Sequence, residues 1–121
     1  MFQPIIWLLL AAVHAAPALA VLRPVLLARL YGIAPADPAF VLIQHRAALF
    51  MCVMIACLWA TFDPGVRRLA VLITAISVLS FLMLFALAGS PVALRGIAMV
   101  DLAAVPLLIA AGYLAYGAQP R

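Results

Sequence analysis

The fold is decided by the stretch FVLIQHRAALFMCVMIACLWA, residues 40–60, which is apolar almost throughout but carries His45 and Arg46 near its start. About 20 apolar residues are enough for a helix to cross the ~30 Å hydrocarbon core of a bilayer. A charge inside that core costs about 2.5 kcal/mol or more unless it is compensated. The stretch therefore predicts a transmembrane helix with a polar feature that needs a partner.

Three further apolar runs have the same length and character, at residues 4–22, 69–88 and 96–116. Only a helix satisfies its backbone hydrogen bonds within a single segment in lipid, so each run is predicted to be helical. The turns Asp63-Pro64-Gly65 and Gly89-Ser90-Pro91 are short, which makes neighbouring helices antiparallel. We expect one all-α domain over residues 1–121, an integral membrane bundle of four transmembrane helices with up-down topology.

Composition excludes an ordinary soluble domain. The chain is 71% hydrophobic and 8% charged, with no Lys, Glu or Asn, whereas soluble domains carry about 25% charged residues. Its net charge of +4 comes from arginines dispersed at the ends of the apolar runs. That distribution is typical of membrane-flanking charge and not of a phosphate-binding surface. We expect bilayer lipids, and not nucleic acid, as its surroundings.

The first connection, residues 23–39, is longer than the others and amphipathic. It contains Leu26-Leu27 and Leu30-Tyr31 and reaches Gly32 before two prolines. A glycine followed closely by proline is a common helix stop. The pattern predicts a short helix lying in the membrane interface after the first transmembrane helix.

Aromatic residues and arginines bear on the orientation of the bundle. The start of the first helix and the ends of the second and fourth share a face, where the aromatics Trp7, Trp59, Tyr113 and Tyr116 predict half of an interfacial belt. Arginines occur on that face (Arg67, Arg68 and Arg121) and on the other (Arg23, Arg29 and Arg95). Because Arg67 and Arg68 share one short loop, we expect both termini to be cytoplasmic.

Arg46 and Asp101 lie at matching depths in the predicted bundle. Arg46 is six residues into the second helix and Asp101 five residues into the fourth, counted from the same face. At 1.5 Å per residue, both side chains sit roughly 8–9 Å below that face. We therefore predict an interhelical ion pair between them. The alternative is that Arg46 extends to the lipid head groups without a partner, which the shorter Asp101 side chain cannot do.

Two histidines and a third arginine extend this candidate polar cluster. His45 precedes Arg46 but is displaced by about 100° around the helix, and Arg95 lies above Asp101. His14 lies within the first helix, close to Pro17, whose ring leaves the carbonyl of Val13 without a helical donor. The candidate site residues are His45, Arg46, Asp101, Arg95 and His14, with either a structural or a ligand-binding role.

No cofactor is predicted, although haem stays open. His14 and His45 could ligate a b-type haem between the first two helices, but their depths differ by roughly one turn. A metal site built from His14, His45, Cys52 and Asp101 has no diagnostic ligand spacing, so a metal stays unknown.

Catalytic motifs are scarce: there is no convincing Ser/His/Asp order, GxGxxG, Walker motif or CxxC. We therefore favour a non-enzymatic membrane protein that acts by binding, either as an accessory subunit or as a homo-oligomer. One alternative is a membrane-embedded binder or enzyme for a lipid, quinone or haem, using His45, Arg46 and Asp101. A second is a small proton-linked transporter with Asp101 as the protonatable group; against it stand a single intramembrane acid and no internal repeat.

Several segments carry a family resemblance. They are Leu30-Tyr31-Gly32, Asp37-Pro38, Gln44-His45-Arg46-Ala47-Ala48-Leu49-Phe50, Val78-Leu79-Ser80-Phe81, Leu94-Arg95 and Val100-Asp101-Leu102. Together they resemble a family of small bacterial four-helix integral membrane proteins of unknown function, of similar length. Its His-Arg-x-x-Leu-Phe motif corresponds to residues 45–50, and the aspartate of its fourth helix to Asp101. Where the family commonly has Arg or another polar residue before the histidine, this chain has Gln44.

The resemblance implies a fold, a polar cluster and a location in a bacterial inner membrane, but no activity. Some members carry the label phosphopantetheine adenylyltransferase, which we reject for this chain. That enzyme resembles a soluble α/β nucleotidyltransferase, and nothing in this sequence predicts its sheet or a loop that cradles phosphate.

Overall fold

The computed structural model describes residues 2–117, which form five α-helices and no strand. The helices are α1 (Gln3–Leu19), α2 (Pro24–Tyr31), α3 (Ala39–Phe62), α4 (Arg67–Leu87) and α5 (Arg95–Gly117). Short 3₁₀ turns span Ala20–Leu22, Pro64–Val66 and Val92–Leu94. The all-α prediction is confirmed over this range. Arg121, which the sequence places on the same face as Arg67, lies outside the described residues.

Four helical segments are long and apolar enough to cross a membrane. Including the 3₁₀ turns, they are Gln3–Leu22, Ala39–Phe62, Pro64–Leu87 and Val92–Gly117, with 20 to 26 residues each. At 1.5 Å per residue each reaches about 30 Å or more. The prediction of four such helices is confirmed.

Contacts at one end of the molecule show that successive long helices alternate in direction. Arg67, at the start of α4, donates to the Gln3 side chain at the start of α1 and, through Nε at 2.9 Å, to the carbonyl of Ala60 near the end of α3. Tyr116, at the end of α5, donates to the carbonyl of Arg68 at 3.1 Å. The starts of α1 and α4 therefore meet the ends of α3 and α5.

Small residues allow the long helices to approach closely. The buried alanines of the central core are Ala11, Ala60, Ala70, Ala104 and Ala111. Helices that meet over small side chains gain dispersion contacts along their backbones, which is the main source of helix association when lipid replaces water. α1 packs most extensively against α3, and α4 against α5.

Trp7 departs from the predicted aromatic belt. Its side chain is 2% exposed and packs in the central core, whereas Trp59 is 60% exposed and Tyr113 is 76% exposed. Depth along a helix predicts the level of a residue but not its angle around the axis, and α1 turns Trp7 inward. Trp59 donates to Asp63 Oδ2 at 3.2 Å, beside the turn in which Asp63 Oδ1 accepts from the Gly65 N–H at 2.8 Å.

α2 closes the opposite end of the bundle. Pro24 begins it, and it ends at Gly32, whose φ of 66° is the left-handed conformation that favours glycine. The Gly32 N–H donates to the carbonyl of Ala28 at 2.8 Å. Leu27 and Tyr31 are buried and pack with Phe40. The predicted short helix is thus present, and its inward face is part of the bundle.

Candidate functional site

Four buried side-chain atoms in the described part of the chain have no hydrogen-bond partner, and they occur close together. They are His14 Nε2, Tyr31 Oη, Arg46 Nε and Asp101 Oδ2. The large majority of buried polar atoms in proteins are hydrogen-bonded, because an unmade bond costs about 1–3 kcal/mol. These four atoms therefore mark a candidate functional site.

A cavity of about 280 Å³ explains three of these atoms; we call it the end cavity. It lies between α1, α2 and α5, at the end of the bundle that α2 closes. Its lining consists of Val13, His14, Ala16, Pro17, Arg29, Leu30, Tyr31, Phe50, Ala93, Gly96, Ile97, Val100 and Asp101. Three of the unpartnered groups, those of His14, Tyr31 and Asp101, thus line an otherwise mainly apolar chamber.

α1 fixes the orientation of His14. Its Nδ1 lies 2.8 Å from the carbonyl oxygen of Leu10, one turn earlier, and its side chain is 1% exposed. The ring also packs against Phe50, with ring centroids 5.9 Å apart. Because Nδ1 is engaged, Nε2 is the ring nitrogen left for a ligand. Pro17 and Val13 line the same cavity, so the proline-weakened turn that the sequence predicts is part of its wall.

Asp101 reaches the end cavity from α5. The carboxyl group is 5% exposed and Oδ2 has no partner. Gly96, Ile97 and Val100 precede it along the same wall. Gly96 is exposed and lines the cavity, and a Cβ at this position would meet no atom within 4 Å.

The guanidinium of Arg46 is stacked between two aromatic rings. Its Cζ lies 4.9 Å from the Phe50 ring centroid and 4.8 Å from that of Phe81. Both distances are within the ~6 Å range of cation–π attraction. Arg46 also lines a neighbouring cavity of about 310 Å³, the side cavity, which shares Tyr31 with the end cavity.

The predicted ion pair between Arg46 and Asp101 is wrong as a direct contact. Neither Arg46 Nε nor Asp101 Oδ2 has a hydrogen-bond partner, and no ion pair joins the two residues, both of which lie within the described range. The two residues nevertheless lie on neighbouring cavities, Asp101 on the end cavity and Arg46 on the side cavity, with Tyr31 on both. The guanidinium of Arg46 lies against the rings of Phe50 and Phe81 and makes no direct contact with the Asp101 carboxyl group.

Tyr31 is the site residue that the sequence prediction missed. It belongs to α2, is 6% exposed, and contributes its hydroxyl to the boundary between the two cavities. Burial raises the pKa of the Tyr31 phenol, so the hydroxyl keeps its proton and can both donate and accept. The available signal was its position just before Gly32 in the predicted amphipathic helix, one turn after Leu27 and on the same face.

The structure does not bring His45 and Arg95 into the site. His45 is exposed on α3, and Arg95 is exposed at the first residue of α5. Neither lines the end cavity. His45 lies outside the site because consecutive helical residues are 100° apart, so the residue next to Arg46 points in another direction.

The donor set does not fit the two-histidine haem site. His14 is buried on the end cavity while His45 points outward from α3. Within residues 2–117, no three His, Cys, Asp or Glu side chains are close enough to hold a metal ion together. The two cysteines are free, and Cys57 contacts the Thr74 hydroxyl at 3.4 Å within the core.

Comparison of the chain with protein-family models, with curated proteins and with solved structures finds no match. A function for the chain therefore has to be argued from the site itself, from the shape of the cavity and the chemistry of its lining.

Proposed function

We propose that this chain is a multi-pass integral membrane protein that binds a small amphipathic molecule in the end cavity, without a catalytic role of its own. In this proposal the four long helices span a bacterial inner membrane, α2 lies at the interface, and both termini are cytoplasmic. We also propose that the chain belongs to the family of small bacterial four-helix membrane proteins that it resembles. Four long apolar segments and the exposed apolar side chains on their outer faces support a location in lipid.

The concentration of unpartnered polar atoms around the end cavity carries the binding proposal. A polar cluster that served only to hold helices together would satisfy its own hydrogen bonds, since half-satisfied networks are less stable than apolar packing. Here His14, Tyr31 and Asp101 each leave a buried atom without a partner on one cavity. A ligand with a polar head group would supply those missing partners.

The walls of the cavity fit an amphipathic molecule. Its volume of about 280 Å³ is at the low end for ligand pockets, so it accommodates a head group and not a whole lipid. Ala16 on α1 and Gly96 and Val100 on α5 are exposed, so the chamber opens between these two helices. In a bilayer, an apolar tail would leave through this opening into the hydrocarbon while the head stays inside.

The interior beyond the cavity favours binding over transport. One turn further into the bundle, Leu10 on α1 and Ala104 on α5 are both 0% exposed and packed in the core. A transporter needs access to its site from both sides of the membrane. The end cavity has an opening on one side and a packed core on the other.

Filling the cavity should abolish binding without unfolding the protein. In Gly96→Leu the new side chain enters space that is open in the structure, and leucine is a better helix former than glycine by about 0.8 kcal/mol. We expect the amount of amphiphile that co-purifies per chain to fall at least about tenfold, with an unchanged or higher Tm. Quantitative mass spectrometry of the extract from detergent-purified protein measures the amount.

Gly117→Leu is the matched control, because it adds the same side chain to α5 at the end away from the cavity, in ordinary contact with Tyr113. Its bound amphiphile should equal that of the wild type. Equal loss in both variants, or no loss in Gly96→Leu, would contradict the proposed site.

A further inference from the structure

We propose that the ligand of the end cavity is recognised through a neutral hydroxyl head group, each hydroxyl donating one hydrogen bond to one of the two acceptors, His14 or Asp101. The inference rests on the proposed function and specifies its ligand class. It excludes two other common membrane head groups, carbonyl-only rings such as quinones and anionic phosphates.

His14 presents an acceptor to the cavity. A carbonyl oxygen can only accept, so the 2.8 Å contact between Nδ1 and the Leu10 oxygen places a proton on Nδ1. In a neutral imidazole that proton is the only one, and the unpartnered Nε2 is therefore a lone-pair acceptor. The fixed contact to the helix backbone prevents the ring from exchanging these roles.

Asp101 presents a second acceptor. Carboxylate oxygens accept hydrogen bonds, and Oδ2 of Asp101 has no donor. A carbonyl-only ligand would leave both this oxygen and His14 Nε2 unsatisfied, at about 5- to 150-fold in affinity for each lost bond. The Tyr31 hydroxyl can either donate or accept a hydrogen bond, so it does not change the preference of the cavity for a donor ligand.

The charges around the cavity favour a neutral donor over an ionic one. Arg29 lies on the rim of the end cavity and Arg46 lines the neighbouring side cavity, so an ammonium head group would add surplus positive charge. A dianionic phosphate would bring its negative charge against the Asp101 carboxylate and has no proton to offer either Asp101 Oδ2 or His14 Nε2. Each neutral hydroxyl donates one proton to one of these acceptors and leaves the charge balance unchanged.

Two sources supply such a head group in a bilayer: a phenolic ring, as in a hydroquinone, and an aliphatic lipid alcohol. A matched pair of probes separates donor from acceptor at constant shape. A short-chain 1,4-hydroquinone and its quinone differ only in whether two oxygens donate or accept. A C15 isoprenoid alcohol and its monophosphate differ in charge.

Native mass spectrometry measures the binding of these four probes to the full chain in lipid nanodiscs. The hydroquinone is measured under anaerobic reducing conditions. We expect at least about tenfold tighter binding of the hydroquinone than of the quinone, or of the alcohol than of its phosphate. The arm that binds identifies the source. Quinone binding at least as tight as the hydroquinone, or tighter binding of the phosphate, would overturn the inference.

Asp101→Asn tests the role of this acceptor against a merely structural one. The amide has nearly the same volume but adds a donor, so the hydroquinone-to-quinone affinity ratio should fall at least about threefold. A structural role would weaken both probes equally and leave the ratio unchanged. The proposed function itself fails if no probe binds the wild type, or if protein freshly purified from membranes contains no bound amphiphile. Binding with the opposite preference is a different result, because it overturns only the inference about the head group.

Discussion

Arg46→Leu is expected to lower the free energy of unfolding by about 3 kcal/mol. The guanidinium is stacked on Phe50 and Phe81 at 4.9 and 4.8 Å, which is worth about 2 kcal/mol when a cation is removed from water. Leucine also removes the positive charge that acts on Asp101 and leaves that carboxyl group buried without compensation. Reversible denaturation in mild detergent measures the change.

Two further variants separate these contributions. Arg46→Lys should recover less than half of the loss, because an ammonium cannot stack as a planar guanidinium does. Adding Asp101→Asn to Arg46→Leu should recover part of it, because the uncompensated charge is then removed. If the two single losses add fully in the double variant, Arg46 and Asp101 do not interact, and the electrostatic part of the account is wrong.

Trp7→Ala is expected to cost about 3 kcal/mol, as typical for a buried large aromatic. The side chain is 2% exposed in a core cluster that includes Leu10 and Ala11, and these neighbours are held on the same helix and cannot move to fill the space it leaves. The same measurement of unfolding applies.

Trp59→Ala is the matched control, since Trp59 is 60% exposed and its one polar contact is to Asp63. We expect a loss of about 1 kcal/mol or less. Similar losses for the two tryptophans would mean that Trp7 belongs to an outer aromatic belt, as its depth alone suggests, and would contradict the core described above.

The fold was largely predictable because it follows from two strong signals. Apolar runs such as residues 40–60 have the length of a membrane-spanning helix, and turns such as Asp63-Pro64-Gly65 have local chemistry that does not depend on the rest of the chain. Gly32 ends α2 for the same local reason. What could not be predicted was the angle of each helix about its axis, which places Trp7 inside and His45 outside.

The site was predictable only in part. Depth counting brought Arg46 and Asp101 to one level, and the proline next to His14 pointed to a weakened turn that now forms the cavity wall. The stacking of Arg46 on Phe81 joins residues of α3 and α4, and the contribution of Tyr31 depends on how α2 docks against the bundle end. Both depend on packing between elements distant in sequence, which no local pattern in the sequence encodes.

Photo-cross-linking tests the central claim, that the end cavity holds an amphiphile by its head group. The wild-type chain in nanodiscs is labelled with two probes, a C15 alcohol and a short-chain hydroquinone, each bearing a diazirine near a hydroxyl, and the labelled residues are mapped by peptide mass spectrometry. The account predicts that at least one probe labels cavity-lining residues such as Val13, Leu30 and Ile97, and that an excess of the same compound without the diazirine removes these labels. Labels confined to outward residues such as Leu87 and Met99, insensitive to competition, would contradict it.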